Sequence, residues 1–147
     1  MLFSKIIVAY DGSALSKKAL KKALHFMEES AAGMRPVKLE IIHVPFAPSF
    51  IFGETLVATT GAATRNMLDH AQTILDEARQ FVPPHANVKY VLRQGPPAKT
   101  ILEHAEECEA DLIVMGSRGL GGIREFILGS VSHNVVQQAK IPVLIVK

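Results

Sequence analysis

The sequence predicts an α/β protein with a single open parallel sheet and helices on both of its faces. Two observations predict it. Short, unbroken apolar runs such as IIVA and LIVM alternate with longer segments whose apolar residues return every three or four positions. An unbroken run fits a strand buried on both sides, and the longer period fits a helix with one buried face. The alternation also persists from one end of the chain to the other, and such an order means parallel strands joined by right-handed crossovers.

Residues 5–9, KIIVA, form the first strand. Asp11-Gly12-Ser13 stops it, and Ser13 is the candidate N-cap of the next helix. There Leu15, Ala19, Ala23 and Met27 recur at spacing four with lysines opposite, and Gly33 is the expected stop. Residues 37–44, VKLEIIHV, form the second strand. Residues 45–60 show no clean period and hold Phe46, Phe50 and Phe52, which predicts a long loop or flap. A helix follows over residues 63–81 with Met67, Ala71, Ile74, Ala78 and Phe81 on its core face, and Pro83-Pro84 ends it. Residues 88–92 have strand composition. Gly95-Pro-Pro-Ala opens a third helix, because proline in a first turn is pre-set for helix. Residues 111–115 are another buried strand. After a glycine-rich stretch, Ser130 is expected to cap a helix with Val131, Val135 and Ala139 inside, and residues 142–146 are the last strand.

The 147 residues fit one domain spanning 1–147, and 48% hydrophobic content is enough for a core. No apolar run approaches the ~18–20 residues of a membrane span, and the first residues lack a signal-peptide pattern, so a cytoplasmic protein with no membrane partner is expected. A net charge of +2 falls short of a nucleic-acid footprint. Lys17, Lys18, Lys21 and Lys22 share one helix face, which reads as a solvated surface or as a face for an acidic partner. The single cysteine, Cys108, continues the apolar series Ala98, Ile101, Ala105 and reads as a small buried hydrophobe. One cysteine forms no internal disulfide, which fits a reducing compartment. His43 sits on an apolar strand and reads as a core residue. The other histidines show no metal-ligand spacing, so no structural zinc site is expected.

The stretch GSRGLGGIREFILGS, residues 116–130, holds five of the ten glycines. It contains no Walker loop, no dinucleotide fingerprint and no nucleophile elbow. Gly116 ends a strand at its carboxyl edge and Gly129-Ser130 opens a helix, where free N–H groups and about half a positive charge favour an anion. Ligands of open parallel sheets sit beyond these strand ends. A few charge-assisted hydrogen bonds of about 1.5–3 kcal/mol each reach micromolar affinity, about −8 kcal/mol. A phosphate cradle and a purely structural turn both remain open on these residues alone.

The spacing Gly116-x2-Gly119-x9-Gly129-Ser130 resembles the nucleotide-binding signature of the universal stress protein (UspA-like) family. The segments KIIVAYDGS, HV at 43–44, Gly95-Pro, DLIVMGSRG, GSVS and IPVLIV are similar to that family in the same order, over essentially the whole chain. The resemblance implies strand order 3-2-1-4-5, a Rossmann-like adenine nucleotide alpha hydrolase-like fold and, since the signature is intact, ATP or another adenine nucleotide as ligand. Carried over by position, Asp11 contacts the ribose near the metal-phosphate region, with Ala9 and Tyr10 lining the adenosine pocket beside it. Val44 meets adenine through its backbone and Met115 packs near base or ribose. Gly116, Arg118, Gly119, Gly129, Ser130, Val131 and Ser132 surround the phosphates. Asp11 also reads as a turn residue, Ser130 as a cap and Arg118 as solvated surface. Where some relatives have proline, this chain has Ala9. Mg or Mn carried by the phosphates is compatible, since such ions need few protein ligands.

The resemblance further implies a homodimer joined through residues 142–146. No base with a visible partner stands out for hydrolysis; Asp11 and Glu125 are the only candidates, with Arg118 or Arg124 for charge. The sequence therefore points to a nucleotide-responsive regulatory module with an unidentified protein partner. A slow ATPase or nucleotidyl transferase and a ligand-free dimeric scaffold are the alternatives.

Overall fold

In the computed structural model, which describes residues 2–33, 35–45, 61–119 and 128–147, five strands and four helices alternate. They are β1 (Lys5–Ala9), α1 (Ala14–Ser30), β2 (Lys38–His43), α2 (Gly61–Arg79), β3 (Val88–Leu92), α3 (Pro97–Glu107), β4 (Leu112–Gly116), α4 (Ser130–Gln138) and β5 (Val143–Val146). The strands form one sheet in the order β3-β2-β1-β4-β5, and every pair is parallel. The fold is the one the sequence predicts. The loop or flap expected at 45–60 falls, from residue 46 onward, outside the described residues.

β1 is central, and Ile6, Ile7 and Val8 are completely buried. Side chains alternate across the sheet. Ile6, Val8 and Tyr10 join Leu39, Ile41, Leu112 and Val114 under α1 and α2, where Ala19, Leu20, Ala23, Leu75 and Ala78 meet them. Ile7, Ile42, Ile113 and Met115 face the other way, against Ile101 and Ala105 of α3 and Val135 of α4. Small residues at 19, 23 and 78 let the helices sit close to the strands. Leu20, Leu24 and Leu75 are buried too, although the predicted stripes omit them, because a helix lying flat on a sheet buries a wider arc than one row.

Several ends differ from expectation. Ser13 does cap α1, accepting from Ser16 N–H at 3.2 Å. Gly33 is not the helix stop: α1 ends three residues earlier and Gly33 N–H closes a turn onto Ser30 at 3.0 Å. α3 starts as predicted, with Pro96 extended and Pro97 in the first turn. Ser130 is not a cap. Gly129 holds the N-cap position of α4, without any side-chain capping bond, and Ser130 is the exposed first helical residue.

The end of the sheet where the strands begin is closed by polar contacts. Asp111, just before β4, accepts from the backbone of Ser4 at 2.7 Å and of Lys5 at 3.0 Å, tying β1 to β4. Glu40, in mid β2, is buried; its Oε1 meets Lys5 Nζ at 2.8 Å and its Oε2 lies 2.7 Å from His104 Nε2. Arg93 Nη1 faces His104 Nδ1 at 3.4 Å, and a guanidinium only donates, so Nδ1 accepts and the proton on Nε2 goes to Glu40. Arg93 also pairs with Glu107 at 2.8 Å.

Burial alone pulls the Glu40 pKa up, but the hydrogen bonds from Lys5 and His104 outweigh it and the net shift is downward. The hydrogen bond to Glu40 holds Lys5 above its ordinary value. A lowered carboxylate contributes stability that is whole above its ordinary 4.5 and is lost as pH falls through the lowered value. Replacing Glu40 by Leu strands the buried His104 and the half-buried Lys5, and we expect a loss of about 2–4 kcal/mol at neutral pH in urea unfolding. The gap between wild type and Glu40→Leu should narrow as pH falls through the lowered Glu40 value, below the ordinary 4.5, and the wild-type carboxylate protonates.

Candidate functional site

β1, β2 and β4 deliver their carboxyl ends to one edge, where the chain order reverses on either side of β1. This is the crevice at which such sheets take ligands. Asp11 follows β1 in a tight turn: its Oδ1 accepts from Ser13 N–H at 2.9 Å, and Gly12 adopts φ +84°. Ser16 Oγ donates to Ser13 O at 2.9 Å and stands 3.4 Å from Asp11 N–H. The start of α1 therefore shapes the Asp11 turn.

The glycines of the cluster make room for the protein's own atoms. A Cβ on Gly116 would stand 2.8 Å from Leu15 Cβ and 3.0 Å from the Leu15 carbonyl carbon, so glycine is what allows α1 to begin where it does. A Cβ on Gly119 would overlap the Asp11 carboxylate. One on Gly129 would press on Arg118 Cα at 3.3 Å. Ser117 N–H donates to Val146 O at 2.9 Å, which holds the loop to β5. Ser117 O accepts from Gly129 N–H at 2.7 Å and from Ser132 Oγ at 2.7 Å, which brings the two ends of the glycine stretch together. Gly129 has no side chain to offer, so among the described residues no side-chain cap takes up the N–H groups of Ser130, Val131 and Ser132 at the first turn of α4.

The structure thus assembles Asp11, Gly116, Arg118, Gly119, Gly129, Ser130, Val131 and Ser132 at one edge. Ala9, Val44 and Met115 pack on the α3–α4 side of the sheet. Tyr10 does not share their face. Its ring is buried on the α1–α2 side, its hydroxyl lacks a partner among the described residues, and burial first, then the charge of Glu77, pushes its pKa up to about 12. Only its backbone reaches the edge. Two grooves bounded by described residues lie elsewhere. One, of about 330 Å³, runs between the exposed lysine face of α1 and Val146, and the other, of about 410 Å³, lies between α3 and the segment after α4. Neither carries the backbone donors of the strand-end crevice, which is defined by its hydrogen-bonding groups rather than by depth.

Sequence spacing did not reveal a second cluster. Glu40, His104 and Cys108 bring a carboxylate oxygen, an imidazole nitrogen and a sulfur within 4.8 Å of one another. The donor types suit zinc, but the arrangement does not. His104 Nε2 gives its proton to Glu40, Lys5 takes the other carboxylate oxygen, and burial, with the Glu40 charge behind it, raises the Cys108 pKa where a metal thiolate needs it lowered. The signal in the sequence was an acid inside an apolar strand, KLEIIH, and a histidine on an apolar helix face.

A parallel sheet in this order, with a glycine-bounded loop and a bare helix start at its carboxyl edge, defines the class of the protein. The chain belongs to the universal stress protein family, whose model matches residues 2–147. Universal stress protein YxiE of Bacillus subtilis is 36% identical, over 99% of this chain and 100% of that protein. Among solved structures, hypothetical protein MJ0577 of Methanocaldococcus jannaschii is 26% identical with a TM-score of 0.74, covering 100% of this chain and 97% of its own. A universal stress protein solved in complex with cAMP is 28% identical with a TM-score of 0.63, covering 99% of this chain and 98% of its own.

The packing of Gly116 makes a prediction independent of any ligand. Gly116→Ala has to push α1 off β4, and we expect a loss of about 1–3 kcal/mol in urea unfolding without added ligand. An unchanged midpoint would mean that Leu15 yields freely.

Proposed function

We propose that the chain binds an adenine nucleotide, ATP foremost, at the carboxyl edge of the sheet and acts as a nucleotide-responsive regulatory module in the stress response. The observation that carries this reading is the first turn of α4. Its first three N–H groups, without a side-chain cap among the described residues, and the positive end of the helix lie at the crevice, beside a loop closed through Ser117. The cAMP complex of a related protein supports an adenine nucleotide as the class of ligand.

In this reading Ala9, Val44 and Met115 supply the apolar side that takes the base, and Tyr10 offers backbone only. Asp11, held in its turn by the Ser13 bond, lies beside the crevice where the ribose would sit. Gly116, Arg118, Gly119, Gly129, Ser130 and Val131 surround the phosphates. The Ser132 hydroxyl is engaged by Ser117, so Ser132 would contribute its N–H. Mg or Mn would be held mainly by phosphate oxygens. The half-buried edge strand β5 carries the proposed homodimer, through residues 142–146, because an apolar edge with unpaired backbone groups invites a second strand. A cytoplasmic location and a regulatory protein partner complete the proposal. No helix among the described residues is long and apolar enough to cross a membrane.

Mass spectrometry of the protein as purified, denatured to release its ligand, should show an adenine nucleotide. Added ATP should raise the melting temperature, and Gly119→Val, which displaces Asp11, should abolish the rise. Ser130→Ala should weaken ATP binding about 5–30-fold, since the exposed hydroxyl caps nothing and is available to phosphate. An unchanged affinity would assign the contact to backbone alone. The native mass should be twice 16.0 kDa. Multiple turnover of ATP lost in Asp11→Ala would point instead to a slow ATPase, and an empty dimer indifferent to ATP to a scaffold.

A further inference from the structure

We propose that His43 is the positioning residue of this site: its ring holds the peptide between Tyr10 and Asp11, and so the Asp11 carboxylate, in place against the glycine loop. The inference rests on the nucleotide reading given above. His43 is the last residue of β2 and is 5% exposed. Its Nδ1 lies 2.8 Å from the Tyr10 carbonyl oxygen. A carbonyl only accepts, so Nδ1 carries the proton and donates it. Tyr10 N–H in turn donates to Ile42 O at 2.9 Å, and Arg93 N–H donates to His43 O at 3.2 Å. Tyr10, which leads into Asp11, is therefore pinned to β2 through both its backbone groups, its N–H by the Ile42 carbonyl and its carbonyl by the imidazole.

The second ring nitrogen makes the case specific. Nε2 is buried without a partner among the described residues. A histidine kept only for packing would be better replaced by an apolar side chain, which leaves no orphaned atom. The groups around the ring are Tyr10 and Asp11 on the β1 side, with Glu77 of α2 next to Tyr10, His70 on α2, and Arg93 through its backbone. Burial is the largest influence and lowers the His43 pKa, the hydrogen bond to Tyr10 and the charge of Asp11 oppose it, and His70 reinforces it. The neutral ring's contribution is whole above its ordinary 6.5 and is lost as pH falls through the lowered value. A proton on Nε2 would have no acceptor, so the ring would leave its seat and release the Tyr10 carbonyl.

The test is ATP affinity by calorimetry between about pH 5.5 and 8, for wild type, His43→Leu and His43→Asn, with urea unfolding alongside. His43→Leu should bind about tenfold more weakly at pH 8. His43→Asn restores a donor near the Tyr10 carbonyl without a titrating group; it should bind within about threefold of wild type and lose the acid-side fall in affinity that wild type shows. Three results overturn the proposal: His43→Leu binding like wild type, the two variants weakening alike, or His43→Asn keeping the wild-type pH profile. If His43→Leu fails to fold, the His43→Asn profile decides alone. Wild type that binds no ATP at any pH overturns the nucleotide reading itself, and the proposal with it.

Discussion

Asp11 and Gly119 compete for a space that holds one side chain, and the carboxylate has it. Much of the carboxyl edge follows from that exclusion. The Asp11 turn needs α1 to begin close to β4, because Ser13 and Ser16 supply its hydrogen bonds. That start in turn needs Gly116, whose missing side chain admits Leu15. Ser117 can then accept from both Gly129 and Ser132, which aims the first turn of α4 at the crevice. Each glycine removes an atom that would push neighbouring segments of the protein away from each other. These glycines are accounted for by this internal packing alone.

The two ends of the sheet are chemically opposite. Towards the end where the strands begin, polar side chains are paired: Lys5 with Glu40, and Glu40 with His104. Where the strands end, backbone groups dominate and, among the described residues, no side chain caps the first N–H groups of α4. A polar network whose members are paired resists change, whereas uncapped donors are receptive to an anion. The same sheet is rigid at one end and receptive at the other.

Most of the fold was legible in the sequence because periodicity reports burial directly. The runs KIIVA, VKYVL and LIVM lie where they were expected, and Pro97 starts α3 as proline in a first turn should. The helix boundaries at Gly33 and Ser130 misled for one reason: residue type suggests a cap, but the cap goes to whichever residue the turn geometry places there. At α4 that residue is Gly129, since Ser117 reaches its N–H. The candidate site was legible as a list of positions and not as an arrangement. Tyr10 adjoins Ala9 in sequence, yet strand alternation sends its ring to the opposite layer. The pairing of Glu40 with His104 spans 64 residues, and no local pattern encodes it.

Glu40 also bears on how the chain finds this sheet. β2 pairs with β1 so that Glu40 stands opposite Ile7, with Leu39 and Ile41 on the other side. A slip of one residue inverts every side chain of a strand. The carboxylate would then lie among Leu20, Leu75 and their neighbours, away from Lys5 and His104, while two aliphatic residues would face those polar side chains instead. One misplaced charge thus penalises the whole set of shifted pairings, so a single ionised residue in an otherwise greasy strand serves as an alignment mark during assembly.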